Sequence, residues 1–111
     1  MQLRALAHAR TGDKGDISSI SVIAYDPGDF AFLAEHVTAA AVAAHFAAFL
    51  RGNVERYELP VLGALNFVLH GALGGGVTRS LALDAHGKSL SSSLLEMELP
   101  DPQAANMASD R

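Results

Sequence analysis

Apolar and polar residues alternate along the first 24 positions of the chain in a way that predicts two strands. Residues 3–10 place small apolar side chains at every second position, with His8 and Arg10 on the opposite face. Residues 17–24 repeat the alternation, with Ile20 and Val22 on one side. Glycines and charged residues separate the two runs, so the pattern predicts an antiparallel hairpin.

The middle of the chain has helical spacing. Residues 30–35 predict a short helix, and residues 39–50, AAAVAAHFAAFL, predict a longer one. Thr38 is placed to begin the longer helix as its N-cap, and Gly52 is placed to end it. This helix carries no charged residue, and its larger apolar side chains form one stripe made of Val42, Phe46, Phe49 and Leu50.

After the helices the pattern predicts strands again. Residues 54–59 carry charges that suit an edge strand, whereas residues 61–70 are apolar and fit either a strand or a helix. Residues 79–84 and 90–99 predict two further strands, joined by a hairpin around residues 84–87. Helices on one face of a mostly antiparallel sheet make an α+β sandwich, and the ferredoxin-like plan is the nearest common solution.

Composition narrows the class of protein. The 111 residues are 50% apolar, which suits one domain over residues 1–99, and the Pro-containing residues 100–111 predict a flexible tail. The net charge of −4 argues against binding to nucleic acid. No apolar run is long enough for a membrane span, and the sequence has no cysteine, so a cytoplasmic location is the default expectation.

The first candidate site is the charged stretch HARTGDKGD, at residues 8–16. Its glycines permit close backbone approach, and successive amides in such a turn form an anion-binding nest. The alternative is a solvated turn whose side chains bond to its own backbone. The titratable and charged members of the stretch are His8, Arg10, Asp13, Lys14 and Asp16.

Asn66 and His70 interrupt an otherwise apolar segment and form the second candidate. The two side chains share a face whether the segment is a strand or a helix. One hypothesis is that both satisfy nearby backbone groups. The other is that His70 serves in a pocket as an acid, a base or an oxyanion donor.

The third candidate is the glycine-rich stretch GALGGGVTRS, at residues 71–80. It lacks the Lys-Ser/Thr pair of a nucleotide P-loop, but its amides and side chains suit a carboxylate or a phosphate. The alternative is a flexible connector. The histidines lack ligand spacing, so no metal site is expected. The anion-binding candidates in this stretch are Gly74, Gly75, Gly76, Thr78 and Arg79.

Three stretches resemble the small ferredoxin-fold domain of the acyclic terpene utilisation (AtuA) protein family. They are AHARTGDKGD at residues 7–16, VERYELP at 54–60 and LNFVLHGALGGGVTRSL at 65–81, and the similarity extends over about residues 3–99. The resemblance implies a ferredoxin-like fold and a place in the catabolism of acyclic terpenoids or related acyl-CoA intermediates. In that family the domain commonly follows a much larger domain, and small stand-alone members are thought to work beside a separate large chain.

Three hypotheses about function follow. The first is a small subunit or accessory domain of an AtuA-type complex, which binds an acyl-CoA or organic acid between the loops at residues 12–16 and 74–79. The second is a stand-alone lyase or hydratase-like enzyme in which His70 acts with Asp13 or Asp16 as acid and base. The third is a purely structural dimeric module. The sequence identifies no cofactor.

The alanine-rich helix adds an expectation about assembly. A surface helix normally carries Lys, Glu or Arg on its outer face, and the helix over residues 38–50 carries none. We therefore expect its alanine face to pack against a second copy of the chain or against a larger partner. The alternative is that alanine, the best helix former, is simply exposed.

Overall fold

The computed structural model describes residues 1–14, 17–48, 50, 52–71 and 90–101. Short 3-10 turns accompany the regular elements at Leu3–Ala5, Pro27–Asp29 and Pro60–Leu62. The helices and strands of the described ranges are β1 (Ala7–Lys14), β2 (Ile17–Ala24), α1 (Phe30–His36), α2 (Ala39–His45), β3 (Val54–Leu59), β4 (Ala64–His70) and α3 (Leu90–Leu94).

The strands form one four-stranded sheet in the order β1-β2-β4-β3. Every neighbouring pair is antiparallel, so two hairpins join along β2 and β4 in the centre. Ile20 of β2 pairs with Thr11 on one side and with Phe67 on the other, which fixes the register across the sheet. The strand predicted over residues 54–59 is confirmed, and β3 lies at one end of this order among the described strands.

The hydrophobic core lies on one face of the sheet. Alternate residues of the two central strands are buried there, as the sequence predicts for β2. The helices pack on the same face, so the predicted α+β sandwich with its helices on one side is confirmed. The largest buried side chains of this layer are Ile20, Val22, Leu33, Val42, Phe46, Leu65, Phe67, Leu69 and Leu94.

The strand predicted over residues 90–99 is wrong. Leu90–Leu94 is a helix, because Leu90, Leu94 and Met97 follow one another at helical spacing and are all buried. The Thr11 hydroxyl of β1 accepts a hydrogen bond from the Ser91 amide at 2.9 Å and so satisfies one free donor of this helix. The strand and hairpin predicted over residues 79–87 lie outside the described residues.

The segment after α3 pairs with the start of the chain. The Leu3 amide donates to the Met97 carbonyl at 2.9 Å, and the Leu99 amide donates to the Met1 carbonyl at 2.7 Å. Leu3 and Met97 are both part of the core. The first and last described segments therefore close the covered side of the sheet together. No helix in the described ranges is long and apolar enough to cross a membrane.

Two predicted boundaries also differ. The first strand begins at Ala7 and runs on to Lys14, so most of the predicted loop at residues 12–16 is strand. The long helix begins as predicted, where the Thr38 hydroxyl accepts from the Ala41 amide at 3.0 Å, but it ends at His45. Its last turn tightens because the Ala47 amide bonds to the Ala44 carbonyl, three residues back.

Candidate functional site

The sheet face that points away from the helices, here called the open sheet face, has no described element over it. Strand alternation places every second residue of each strand on it. Several of these side chains are exposed, Ala64 is buried, and the rest are half-buried. The described side chains of the open sheet face are His8, Arg10, Ile17, Ser19, Ser21, Ile23, Glu55, Tyr57, Leu59, Ala64, Asn66, Val68 and His70.

A chain of hydrogen bonds links three of these residues. The Nε2 atom of His70 lies 2.6 Å from a carboxylate oxygen of Glu55, and the Tyr57 hydroxyl donates to the other oxygen. Glu55 and Tyr57 are two residues apart on β3, so both point to the open sheet face. Glu55 pairs with Val68 in the register, which places it diagonally from His70 and within reach of its ring.

These contacts shift two pKa values in opposite directions. The hydrogen bonds from Tyr57 and then from His70 lower the pKa of Glu55 below its usual range. The hydrogen bond to the Glu55 carboxylate raises the pKa of Tyr57. At neutral pH the group between the phenol and the imidazole is therefore an ionised carboxylate that accepts from both sides.

The backbone of His70 is held by its neighbours. The Gly52 amide donates to the His70 carbonyl at 2.9 Å, and the His70 amide donates to the Asn53 carbonyl at 3.0 Å. A Cβ atom at Gly52 would lie 2.5 Å from that His70 carbonyl oxygen, so the site requires glycine. The prediction that Gly52 ends the long helix is wrong, because that helix ends at His45 and Gly52 instead permits close approach to β4.

Asn66 forms a second cluster on the same face. Its Oδ1 atom accepts hydrogen bonds from the Ser19 hydroxyl at 3.2 Å and the Ser21 hydroxyl at 3.0 Å. Its amide nitrogen has no hydrogen-bond partner among the described residues. The hypothesis that Asn66 satisfies backbone groups is therefore wrong, because the partners of its side chain are two hydroxyl groups of β2.

Asn66 and His70 share a face, as the sequence predicts, but they do not contact each other. Residues 64–70 form a strand, and four residues of strand separate two side chains by about 13 Å. In a helix the same spacing would bring them to about 6 Å. The apolar pattern leaves the choice between strand and helix open. Because the segment is a strand, the two residues belong to separate clusters.

The basic residues of β1 lie across the sheet from these clusters. Arg10 is exposed, and it makes no ion pair with a described residue. It pairs in the register with Ser21, which in turn pairs with Asn66, so the three residues lie in one row. The His8 ring stacks on Tyr25 with 5.4 Å between ring centroids.

The remaining predicted site residues divide into two groups. The backbone of Asp13 pairs with Ser18 and that of Lys14 pairs with Ile17, at the end of the first hairpin. Among described residues the carboxylate in contact with His70 is that of Glu55, which sequence reasoning missed. The alternation of VERYEL was the available signal, since it places Glu55 and Tyr57 on one face. Asp16, Gly74, Gly75, Gly76, Thr78 and Arg79 lie outside the described residues.

The family of the chain follows from a match to a protein-family model. The model for the AtuA ferredoxin-like domain matches residues 1–100 of the chain. The chain belongs to the AtuA ferredoxin-like domain family. No curated protein and no solved structure matches the sequence. The resemblance carried by the three sequence stretches is thus confirmed, and the AtuA ferredoxin-like domain described here includes all three of them.

Proposed function

We propose that this AtuA ferredoxin-like domain is an accessory domain that docks onto a separate large AtuA-type chain through its open sheet face. The observation that carries the proposal is that no element within the described ranges lies over this face. Ile17, Tyr57 and Leu59 expose 41%, 49% and 42% of their surface on this face. Tyr57 and Leu59 are neighbours on this face, and adjacent exposed apolar side chains mark interaction surfaces. Ile17 lies at the opposite end of the face, in the row of His70.

The charges of the open sheet face suit a large partner with a mixed surface. The β1 edge carries the basic residues His8 and Arg10, and the β3 edge carries Glu55. Charges of opposite sign at the two edges orient a partner and select its register more than they add affinity. The family supports a partner of AtuA type. We extend the proposal to a role of such a complex in catabolism of acyclic terpenoids or related acyl-CoA compounds and organic acids.

A second candidate function is the binding of an anionic small molecule on the same face. Arg10 offers an exposed guanidinium without an ion-pair partner among described residues, and Asn66 offers an amide nitrogen that is free within the same ranges. Guanidinium and amide donors in one row suit a carboxylate or a phosphate. A docked partner would exclude water from this face and strengthen such contacts.

The docking proposal is tested by binding to the large AtuA-type chain from the same organism. The double variant Ile17→Glu, Leu59→Glu adds two charges to the open sheet face, whereas the control Ala31→Glu adds one charge at an exposed residue of α1, on the other side of the sheet. We expect the double variant to weaken binding more than about thirtyfold, the effect of one hot-spot residue. The control should bind like the wild type.

Two outcomes would contradict the proposal. One is that the wild-type chain does not bind the large chain in titration calorimetry. The other is that the double variant and Ala31→Glu both bind with the affinity of the wild type, which would place the interface elsewhere. Circular dichroism of each variant checks that the fold is retained.

A further inference from the structure

We propose that His70, held by Glu55 and Tyr57, is a general acid–base group that moves a proton on a carbonyl compound bound at the open sheet face. The inference rests on the second candidate function for its ligand, and it adds the reaction class and the acting residue. It replaces Asp13 and Asp16 by Glu55 as the carboxylate partner of His70.

The first step of the argument concerns the two ring nitrogens of His70. Nε2 is committed to the Glu55 carboxylate at 2.6 Å. A carboxylate accepts hydrogen bonds, so a neutral His70 ring carries its proton on Nε2. Nδ1 then carries the lone pair, and no described residue occupies it. The lone pair is available to a ligand on the open sheet face.

The second step concerns Glu55. Both of its carboxylate oxygens are engaged, one by His70 and the other by the Tyr57 hydroxyl, so the carboxylate cannot rotate freely. A fixed anion at Nε2 stabilises the imidazolium that forms when Nδ1 takes a proton, as the aspartate does in a serine-protease triad. Tyr57 and Glu55 are therefore positioning residues, and His70 is the group that meets the substrate.

The third step identifies the substrate class. Protons on oxygen and nitrogen exchange with water without assistance, whereas a C–H beside a carbonyl needs a held base. Arg10 and His70 lie two strands and four rows apart on one face, which places their backbones about 16 Å from each other. An extended keto acid or acyl compound, with its anionic end at Arg10 and its carbonyl end at His70, fits this separation.

The proton transfer balances without an oxidant or a cofactor. Nδ1 of neutral His70 takes a proton from the carbon next to the carbonyl, and the electrons of that C–H bond move to the carbonyl oxygen as an enolate. The imidazolium then returns a proton to carbon. Only a proton has moved, so the step exchanges or relocates hydrogen on the substrate.

The matched control within the chain is His36. It also lies beside a glutamate, but its Nε2 atom is 3.9 Å from the Glu35 carboxylate. It lies on α1, on the covered side of the sheet, where its ring contacts Phe32. His36 therefore has a neighbouring carboxylate without the tight hydrogen bond that the proposal assigns to His70.

The first test is acylation of the isolated chain at pH 7 by diethyl pyrocarbonate, which attacks unprotonated imidazole nitrogen. Peptide mass spectrometry gives the rate at each histidine. We expect Glu55→Gln to change the acylation rate at His70 while leaving the rate at His36 unchanged. A rate at His70 that ignores Glu55→Gln would overturn the proposal.

The second test uses 7-oxooctanoate in D₂O, with deuterium incorporation beside the ketone followed by proton NMR. Wild type and His36→Asn should exchange at least about tenfold faster than buffer, and His70→Asn should fall to the buffer rate. Glu55→Gln should lie between them, and Tyr57→Phe should stay nearer to the wild type. No exchange above buffer by the wild type would overturn the assigned reaction.

Both tests use the isolated chain, so their failure leaves the docking measurement intact. Conversely, a chain that fails to bind the large partner can still exchange deuterium. Anion binding is read separately from the KM for 7-oxooctanoate, which Arg10→Ala should raise with little change in kcat. A KM unchanged by Arg10→Ala would contradict the second candidate function without touching His70.

Discussion

The covered face and the open face belong to the same four strands but differ in the side chains that they carry. On the covered face, central residues such as Ile20 and Phe67 are completely buried and apolar. The open face mixes apolar side chains with hydroxyls, an amide, an imidazole and a carboxylate that are joined by hydrogen bonds. Polar groups of this kind contribute little to stability while they remain hydrated, so the open face is free to serve recognition and chemistry.

The largest expected difference between the faces comes from removing one side chain on each. Phe67→Ala empties the centre of the covered face, where Phe67 has no exposed surface, and should cost about 3–5 kcal/mol of unfolding free energy. Val68→Ala removes the adjacent side chain on the open face and should cost about 1 kcal/mol or less. Urea denaturation measures both. Equal losses would mean that Val68 is as fully covered in the protein as Phe67.

The next largest effect on stability is expected at the end of β4, where Gly52 contacts the backbone of His70. Gly52→Ala brings a Cβ within 2.5 Å of the His70 carbonyl oxygen, a contact with backbone that cannot rotate away. We expect a loss of about 1–3 kcal/mol and faster hydrogen exchange at the His70 amide.

Gly12→Ala is the matched control, because its Cβ would have nothing within 4 Å. That substitution should leave stability unchanged or raise it slightly. If Gly12→Ala proved as damaging as Gly52→Ala, close approach of the Gly52 backbone would not be the cause.

A smaller loss of stability is expected when the pH is lowered, and it comes from Glu55 on the open face. The pKa of Glu55 is lowered from its ordinary value of 4.5 in the folded state, so its contacts contribute stability that is fully present above that value. This contribution is lost as the pH falls through the lowered pKa. Urea midpoints of the wild type should therefore converge on those of Glu55→Gln between about pH 5 and pH 3. Parallel curves would show that the carboxylate is not held by Tyr57 and His70.

The smallest effect on stability is expected on the outer face of α2. Ala40 and Ala44 of this helix, with Ala47 and Ala48 just beyond it, are exposed in the single chain. Ala44→Glu, Ala48→Glu should leave the melting temperature nearly unchanged, since exposed sites rarely matter by more than about 0.5 kcal/mol. We predict that it shifts any oligomer of the wild type toward monomer in analytical ultracentrifugation. An unshifted oligomer would assign self-association to another surface.

The covered face was the more predictable of the two. A buried strand needs apolar side chains at a period of two, so Ile20 and Val22 were visible in the sequence. The helix over residues 90–94 could not be predicted, because three serines between two leucines fit the period of a strand as well as that of a helix. The hydrogen bond from the Ser91 amide to Thr11 of β1 supports the helix. That contact joins residues 80 positions apart, which no local pattern records.

The open face was predictable only in outline. Alternation placed Asn66 and His70 on one side of their segment, and it placed Glu55 and Tyr57 on one side of β3. The bond from His70 to Glu55 depends on the register between β3 and β4, which is fixed where Leu59 meets Ala64 across the turn. The sequence analysis instead paired His70 with Asp13 or Asp16, because these carboxylates belong to the charged stretch at residues 8–16.

The pairing between the first and last described segments has a consequence for how the chain acquires its structure. Leu3 bonds to Met97, and Met1 bonds to Leu99, which lies 98 residues away. During synthesis the first segment cannot make these bonds until residues 97–99 have left the ribosome. Contacts between residues so distant in sequence lower folding rates. The nascent domain therefore presents its still-open core to chaperones or to a partner for longer than a protein of this size with local pairing would.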